Sequence, residues 1–249
     1  MGTFVRDAPS DFRRHAGGTR SSAVHAAAGV LFALVLLAKP QVSFAAPASD
    51  TDGDGYDDMT ELANGYSPYG PGKLAETDTD GDGLSDADEI VFGSDPLRPD
   101  TDGDGFPDGL EVLNAFDPTL GGGARLKKRI VISLASQTLD YSIGPKHLGS
   151  FKVSTGKART PTPVGVFAIR DKKPRAWSAH AKLYMPYWMP FIGTQYGLHE
   201  LPEWPDGTKE GQWHLGTPAS GGCVRLGVGP AKTLYEWSEI GTEVEIKKA

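Results

Sequence analysis

Hydrophobic positions follow three regimes along the chain. Residues 23–38 form an apolar run, AVHAAAGVLFALVLLA, behind Arg13, Arg14 and Arg20 and ahead of Lys39 and Pro40. At helical rise the run spans about 24 Å, short of the roughly 30 Å hydrocarbon core of a bilayer. With small residues at Ser43 and Ala45, it predicts a secretory signal over residues 1–45, cut after Ala45. The mature chain is then expected to be exported to the periplasm, cell wall or exterior, and to meet a membrane only through this segment if it stays uncut. Residues 50–120 show no long amphipathic period. Beyond the Gly-rich linker 121–125, which holds Gly121, Gly122 and Gly123, the pattern becomes that of strands. Residues 130–143, IVISLASQTLDYSI, predict a hairpin turning at Ser136-Gln137. Further strands are expected at 152–156, 164–169 and 243–246, one helix at 231–237, and long loops between 172 and 222. A mainly β domain over residues 126–249 follows.

The middle regime is a threefold repeat over residues 50–120: DTDGDGYDDMTE from Asp50, DTDGDGLSDADE from Asp78 and DTDGDGFPDGLE from Asp100. Acidic residues at places 1, 3, 5, 9 and 12 with Gly at place 6 are the spacing of a twelve-residue calcium loop. The first loop offers Asp50, Asp52, Asp54, Asp58 and Glu61 with the carbonyl of Tyr56. The second offers Asp78, Asp80, Asp82, Asp86 and Glu89 with that of Leu84, and the third Asp100, Asp102, Asp104, Asp108 and Glu111 with that of Phe106. Such oxygens suit a hard cation that takes about six to eight ligands. Without it the carboxylates repel, so calcium is expected as a structural cofactor that orders the region. Seven residues after each terminal Glu stand Pro68, Pro96 and Pro118, which stop a short exit helix. No amphipathic helix enters the second or third loop, unlike a paired helix-loop-helix sensor. The pattern resembles the thrombospondin type 3 calcium-binding repeat. That resemblance implies a calcium-stiffened stalk with little apolar core, placed to meet a wall polymer or a surface protein.

Charge supports modules in series. The net charge of -7 splits into +3 over residues 1–49, -18 over 50–124 and +8 over 125–249. Dispersed basic groups and the expected export argue against nucleic acid as a partner. The basic C-terminal module suits anionic wall polymers, which it would attract over a range that salt shortens.

The single cysteine, Cys223, excludes an intramolecular disulfide and leaves a thiol that is inert, intermolecular or reactive. It lies in PASGGCVRL, residues 218–226. The small residues before it can expose the amides of Gly222 and Cys223 as an oxyanion hole. Arg225 would favour thiolate over thiol. His199 stands upstream as a base, provided that the fold brings it to the thiol.

These residues fall in five stretches: VSTGK at 153–157, TPTPVGVF at 160–167, YGLH at 196–199, HLGTPAS at 214–220 and GCVRL at 222–226. In this order they resemble the L,D-transpeptidase (YkuD-type) catalytic domain across residues 130–247. The resemblance implies a β-sandwich with one or two short helices and the active cysteine on a loop at the sheet edge. It implies Cys223 as nucleophile, His199 as general base, the Glu200 carbonyl orienting the ring, and Gly222 with Cys223 as oxyanion donors. Arg225 would hold a substrate carboxylate or fix the loop, and Ser220, His214 and Tyr196 would border the substrate. The implied reaction is acyl transfer from peptidoglycan stem peptides through a thioester, with no cofactor in the chemistry, to cross-link or remodel the cell wall. Transfer to water would make the domain an L,D-carboxypeptidase. A decayed site would leave a calcium-dependent wall- or surface-binding protein. The family usually has Ser-His-Gly-Cys where this chain has Ser220-Gly221-Gly222-Cys223. Weakened substrate handling is expected from the missing histidine.

Overall fold

The computed structural model describes residues 48–248, so the expected signal segment lies outside the described residues. Each acidic loop leads into one short helix: α1 (Asp58–Asn64), α2 (Asp86–Phe92) and α3 (Asp108–Leu113). Asp57 and Ser85 cap α1 and α2 by accepting the amides of Thr60 and Asp88, and Gly65 and Gly93 end them in the left-handed conformation. The repeats share a small core with the C-terminal domain. Leu84, Phe92 and Ala115 pack with Ile143 of the C-terminal domain, and Val112, Leu126 and Leu148 border them. Repeats two and three touch closely. The Gly109 amide donates to Asp82 Oδ2 at 2.7 Å, and a side chain at Gly109 would start 2.7 Å from the Asp82 carbonyl oxygen. Only glycine permits that approach.

The C-terminal domain is a mixed sheet of β1 (Lys128–Ser133), β2 (Thr138–Ile143), β3 (Lys146–Ser154), β4 (Gly165–Ala168), β5 (Lys173–Ser178), β6 (Leu183–Ile192), β7 (Tyr196–Glu200), β8 (Val224–Leu226) and β9 (Glu243–Lys247). Hydrogen-bonded neighbours run β4-β9-β1-β2-β3-β8-β7-β6-β5. β3 joins the two halves, pairing with β2 as far as Lys152 and with β8 at Val153 and Ser154. Ile130, Ile132, Leu139, Val244 and Ile246 from one half share a core with Met189, Phe191, Leu198, Val224 and Leu226 from the other. The sheet thus folds onto itself as a sandwich, and α4 (Pro230–Trp237) adds Ala231 and Leu234 to that core. The mainly β class and the sparse short helices agree with the sequence pattern.

Two local expectations change. The stretch read as long loops between 172 and 222 contains β5, β6 and β7. Pro186 and Pro190 lie within β6, and Tyr187 between them has a positive φ, so the strand lacks the alternation that betrays one. The Gly-rich linker is a closed turn and not an open hinge. Gly122 donates to Asp104 Oδ2 at 3.3 Å, and Leu126 donates to the Ala115 carbonyl at 2.9 Å. Lys146 also pairs with Asp88 across the junction.

Because Phe92 belongs to the core shared by repeats and sheet, Phe92→Ala should cost about 3 kcal/mol in urea unfolding. All five tryptophans lie beyond residue 170, so their fluorescence reports the C-terminal domain. A lowered fluorescence midpoint is expected, and an unchanged one would mean that the two parts unfold independently.

Candidate active site

Cys223 ends a loop braced from two sides. Ser220 is buried; its Oγ donates to the Cys223 carbonyl at 2.6 Å and accepts the Gly222 amide at 3.0 Å. From the 160–163 turn, Thr162 Oγ1 donates to the Gly222 carbonyl at 2.8 Å, and Thr160 Oγ1 donates to the Ser220 carbonyl at 3.2 Å. The Thr-Pro-Thr-Pro stretch therefore acts on the nucleophile loop as a hydrogen-bonded support. Gly222 has φ +121°, and a Cβ there would lie 2.7 Å from the Tyr196 ring, so both backbone and space demand glycine. Ser220 and Tyr196, expected beside the substrate, both shape this loop. The Gly222 amide is engaged by Ser220, which removes it as a ready oxyanion donor.

β7 and β8 run parallel, with Leu198 opposite Val224 and His199 opposite Arg225. Leu198 and Val224 face the core, so alternation puts His199 and Arg225 on the other face, toward which Gly197 and Cys223 continue the series. His199 is 3% exposed, and its Nδ1 lies 2.5 Å from the Glu200 carbonyl. A carbonyl only accepts, so Nδ1 carries the proton and Nε2 is left as the acceptor. The Trp188 ring lies 5.8 Å from the imidazole. Burial pulls the His199 pKa down to about 4, against the Glu200 hydrogen bond, which raises it; Arg225 adds to the lowering. Cys223 is half-buried, and its thiol donates to the Gln195 carbonyl at 3.5 Å. Burial raises the thiol pKa and outweighs the Gly197 amide and Arg225, which favour thiolate. Arg225 thus favours thiolate as expected, but burial is the larger influence and disfavours the charged form of the thiol, as it does that of the imidazole.

Arg225 has a partner of its own. Its Nη1 lies 2.9 Å from Glu210 Oε2, so it fixes the intervening loop. His214 is 1% exposed, with Nε2 3.6 Å from the same carboxylate, sealed away from the substrate side expected for it. Its pKa is lowered by burial, with Glu210 opposing. Glu200 contributes its carbonyl to His199 and its buried carboxylate to Lys209. Lys209 and Glu210 belong to no motif, and sequence reasoning missed them. Gly221 is exposed and faces open space.

The acidic loops share one internal design. Both oxygens of Asp50, Asp78 and Asp100 accept amides of the loop glycines. The carboxylates of Asp50, Asp52 and Asp54 converge, as do those of Asp78, Asp80 and Asp82 and of Asp100, Asp102 and Asp104. Place 9 departs from expectation. Asp58, Asp86 and Asp108 accept the amide and hydroxyl of Thr51, Thr79 and Thr101, which ties each loop's end to its start. Glu61, Glu89 and Glu111 at place 12 are buried, with Glu61 Oε2, both Glu89 oxygens and Glu111 Oε2 lacking any hydrogen-bond partner. Burial and then neighbouring carboxylates push Glu89 up to about 8, Glu111 to about 7 and Asp80 to about 6. Buried, unpartnered carboxylate oxygens beside a convergent triad fit a hard divalent cation, so the clusters are consistent with calcium binding. At place 7, the Leu84 side chain is buried, whereas Tyr56 and Phe106 are exposed.

Residues 127–246 match the family described as the L,D-transpeptidase catalytic domain, and residues 78–99 and 100–114 match the bacterial TSP3 repeat. YkuD of Bacillus subtilis (strain 168), named as an L,D-transpeptidase, is 26% identical over 122 residues, covering 48% of this chain and 65% of that protein. The structure of an L,D-transpeptidase from Mycobacterium smegmatis superposes with TM-score 0.44 at 18% identity, over 50% of this chain and 60% of the other. That of an L,D-transpeptidase from Stackebrandtia nassauensis gives 0.42 at 25% identity, over 66% and 79%. The chain thus spans less than two thirds of the Bacillus and mycobacterial proteins.

A neutral resting thiol has a direct readout. Iodoacetamide should modify Cys223 at pH 7 more slowly than free cysteine, whose pKa is about 8.5, and the rate should climb through alkaline pH. Modification faster than free cysteine at pH 7 would refute the neutral pair.

Proposed function

For a chain that carries an L,D-transpeptidase catalytic domain behind bacterial TSP3 repeats, we propose a calcium-binding, exported acyltransferase that remodels the cell wall, with Cys223 as nucleophile and His199 as general base. The observation that carries this reading is the Nδ1 contact of His199 with the Glu200 carbonyl, which leaves a neutral Nε2 acceptor on the strand beside the lone cysteine.

The substrate is a peptidoglycan stem peptide. The thiol turns from Gln195 toward His199, gives its proton to Nε2, and the sulfur attacks the carbonyl between the diamino acid at place three and D-alanine at place four. The Cys223 amide receives the developing oxyanion. The carbon–nitrogen bond breaks, His199 passes the proton to the departing D-alanine amine, and a thioester remains. An acceptor amine then loses its proton to His199, attacks the thioester, and the thiol is restored. Water in the amine's place gives the carboxypeptidase outcome. Because imidazole and thiol start neutral, the proton moves during attack and not before it.

Calcium would be held by Asp50, Asp52, Asp54 and Glu61, by Asp78, Asp80, Asp82 and Glu89, and by Asp100, Asp102, Asp104 and Glu111. It would supply positive charge to these carboxylates and take no part in the acyl chemistry. The stalk would keep the catalytic domain near a wall polymer or surface protein.

Purified muropeptides incubated with the protein should yield cross-linked dimers with release of D-alanine, and Cys223→Ala should abolish both by mass spectrometry. D-Alanine release without dimers would reassign the activity to hydrolysis, and neither product would remove the enzyme reading. Gly221→His places a ring into open space, so it should alter stability by less than about 0.5 kcal/mol and raise dimer yield; a fall in yield would show that the loop has adapted to glycine. Calorimetry with calcium at about a hundredfold its Kd should add about 2.7 kcal/mol per site relative to chelator. Titration should count three sites and Glu89→Gln two; a count that stays at three would exclude Glu89 as a ligand.

A further inference from the structure

Between β7 and the Cys223 loop the chain makes a small hairpin. Glu203 and Tyr184 exchange main-chain hydrogen bonds at 2.8 and 2.9 Å, and Glu203 bridges Lys209. On the returning arm two consecutive residues reach the two strands that carry the dyad. Lys209 Nζ pairs with the carboxylate of Glu200, which is 2% exposed and whose carbonyl holds the His199 ring. Glu210 Oε2 lies 2.9 Å from Nη1 of Arg225, the register partner of His199 and the second residue after Cys223. The Arg225 side chain is 16% exposed and that of Glu210 24%, so this pair is weakly screened.

We propose that Lys209 and Glu210 are positioning residues that act as a two-pronged clasp: Lys209 fixes the His199 ring through Glu200, and Glu210 neutralises Arg225 so that its charge does not draw the proton from Cys223. The inference rests on Cys223 and His199 as nucleophile and base. The ionisable groups on the elements packed about the thiol are Tyr196, His199 and Glu200 on β7, Arg225 on β8, and Glu203, Asp206, Lys209, Glu210 and His214 on the intervening stretch. Lys157 and Arg159 on the supporting turn are exposed. Arg225 is the least exposed cation among them, and Glu210 is its counter-charge. Without Glu210 the bare guanidinium would stabilise thiolate, which reacts with alkylating agents and oxidants before any substrate arrives.

The two partners of the Glu210–Arg225 pair predict effects of opposite sign, which a merely structural role would not produce. In the full chain, Glu210→Gln keeps shape and removes charge; Cys223 alkylation at pH 7 should rise about threefold to tenfold and its pH midpoint should fall. Arg225→Gln should move that midpoint upward, and Glu210→Asp should return it to the wild-type value. Lys209→Gln should leave the midpoint in place and lower the rate of acyl-enzyme formation with a muropeptide donor. Thermal melts confirm folding, and if Glu210→Gln or Arg225→Gln fails to fold, the other carries the sign test. Midpoints that shift the same way in both variants, or an unmoved midpoint in a folded one, would overturn the clasp. Alkylation needs no turnover, so that failure is separate from a failure of transferase activity in the muropeptide assay.

Discussion

A carbonyl oxygen only accepts, so the short contact from the Glu200 carbonyl to His199 Nδ1 decides which ring nitrogen holds the proton and which is free to take one. Burial keeps that ring neutral, and the same burial keeps the neighbouring thiol protonated. Burial thus disfavours the charged form of both groups. The surrounding scaffold follows from this constraint. The parallel pairing of β7 and β8 sets histidine and cysteine on one face, Ser220 and Thr162 hold the loop that ends at the cysteine, and the Pro-rich turn supports it from outside.

The repeats face the opposite electrostatic problem. There the shortage is of positive charge, because buried glutamates and convergent aspartates have no basic residue beside them in the loops. The repeats are also mechanically joined to the sheet, through Phe92 and Ile143 and through Lys146 with Asp88. The closed glycine turn makes them a continuation of the domain rather than a pendant tail.

Much of the site was legible because its chemistry is local in sequence. The twelve-residue acidic spacing marks the carboxylates that converge at places 1, 3 and 5, and the cysteine motif marks its own loop. What escaped was carried by long-range packing. β6 was hidden by its prolines, which suspend the alternation of a strand while neighbours on both sides still pair with it. The aspartates at place 9 fit a ligand pattern by number, but a threonine seven positions earlier takes both their oxygens. The Gly222 amide looked available until the Ser220 hydroxyl turned toward it. Arg225 was expected to hold a substrate carboxylate or fix the loop, and the carboxylate it meets is that of Glu210, fifteen positions away. In each case the residues stood in the sequence, while their partners were set by the fold.

The threonine latch of each acidic loop has a mechanical corollary. Since the start and end of the loop are already fastened by protein groups, an arriving ion would find a mould and not a coil, and little ordering entropy would oppose its entry. Such a loop would not open and shut with changing ion supply as a sensor does. It would behave as a rivet, holding the chain at one fixed spacing whether or not the supply of ions changes.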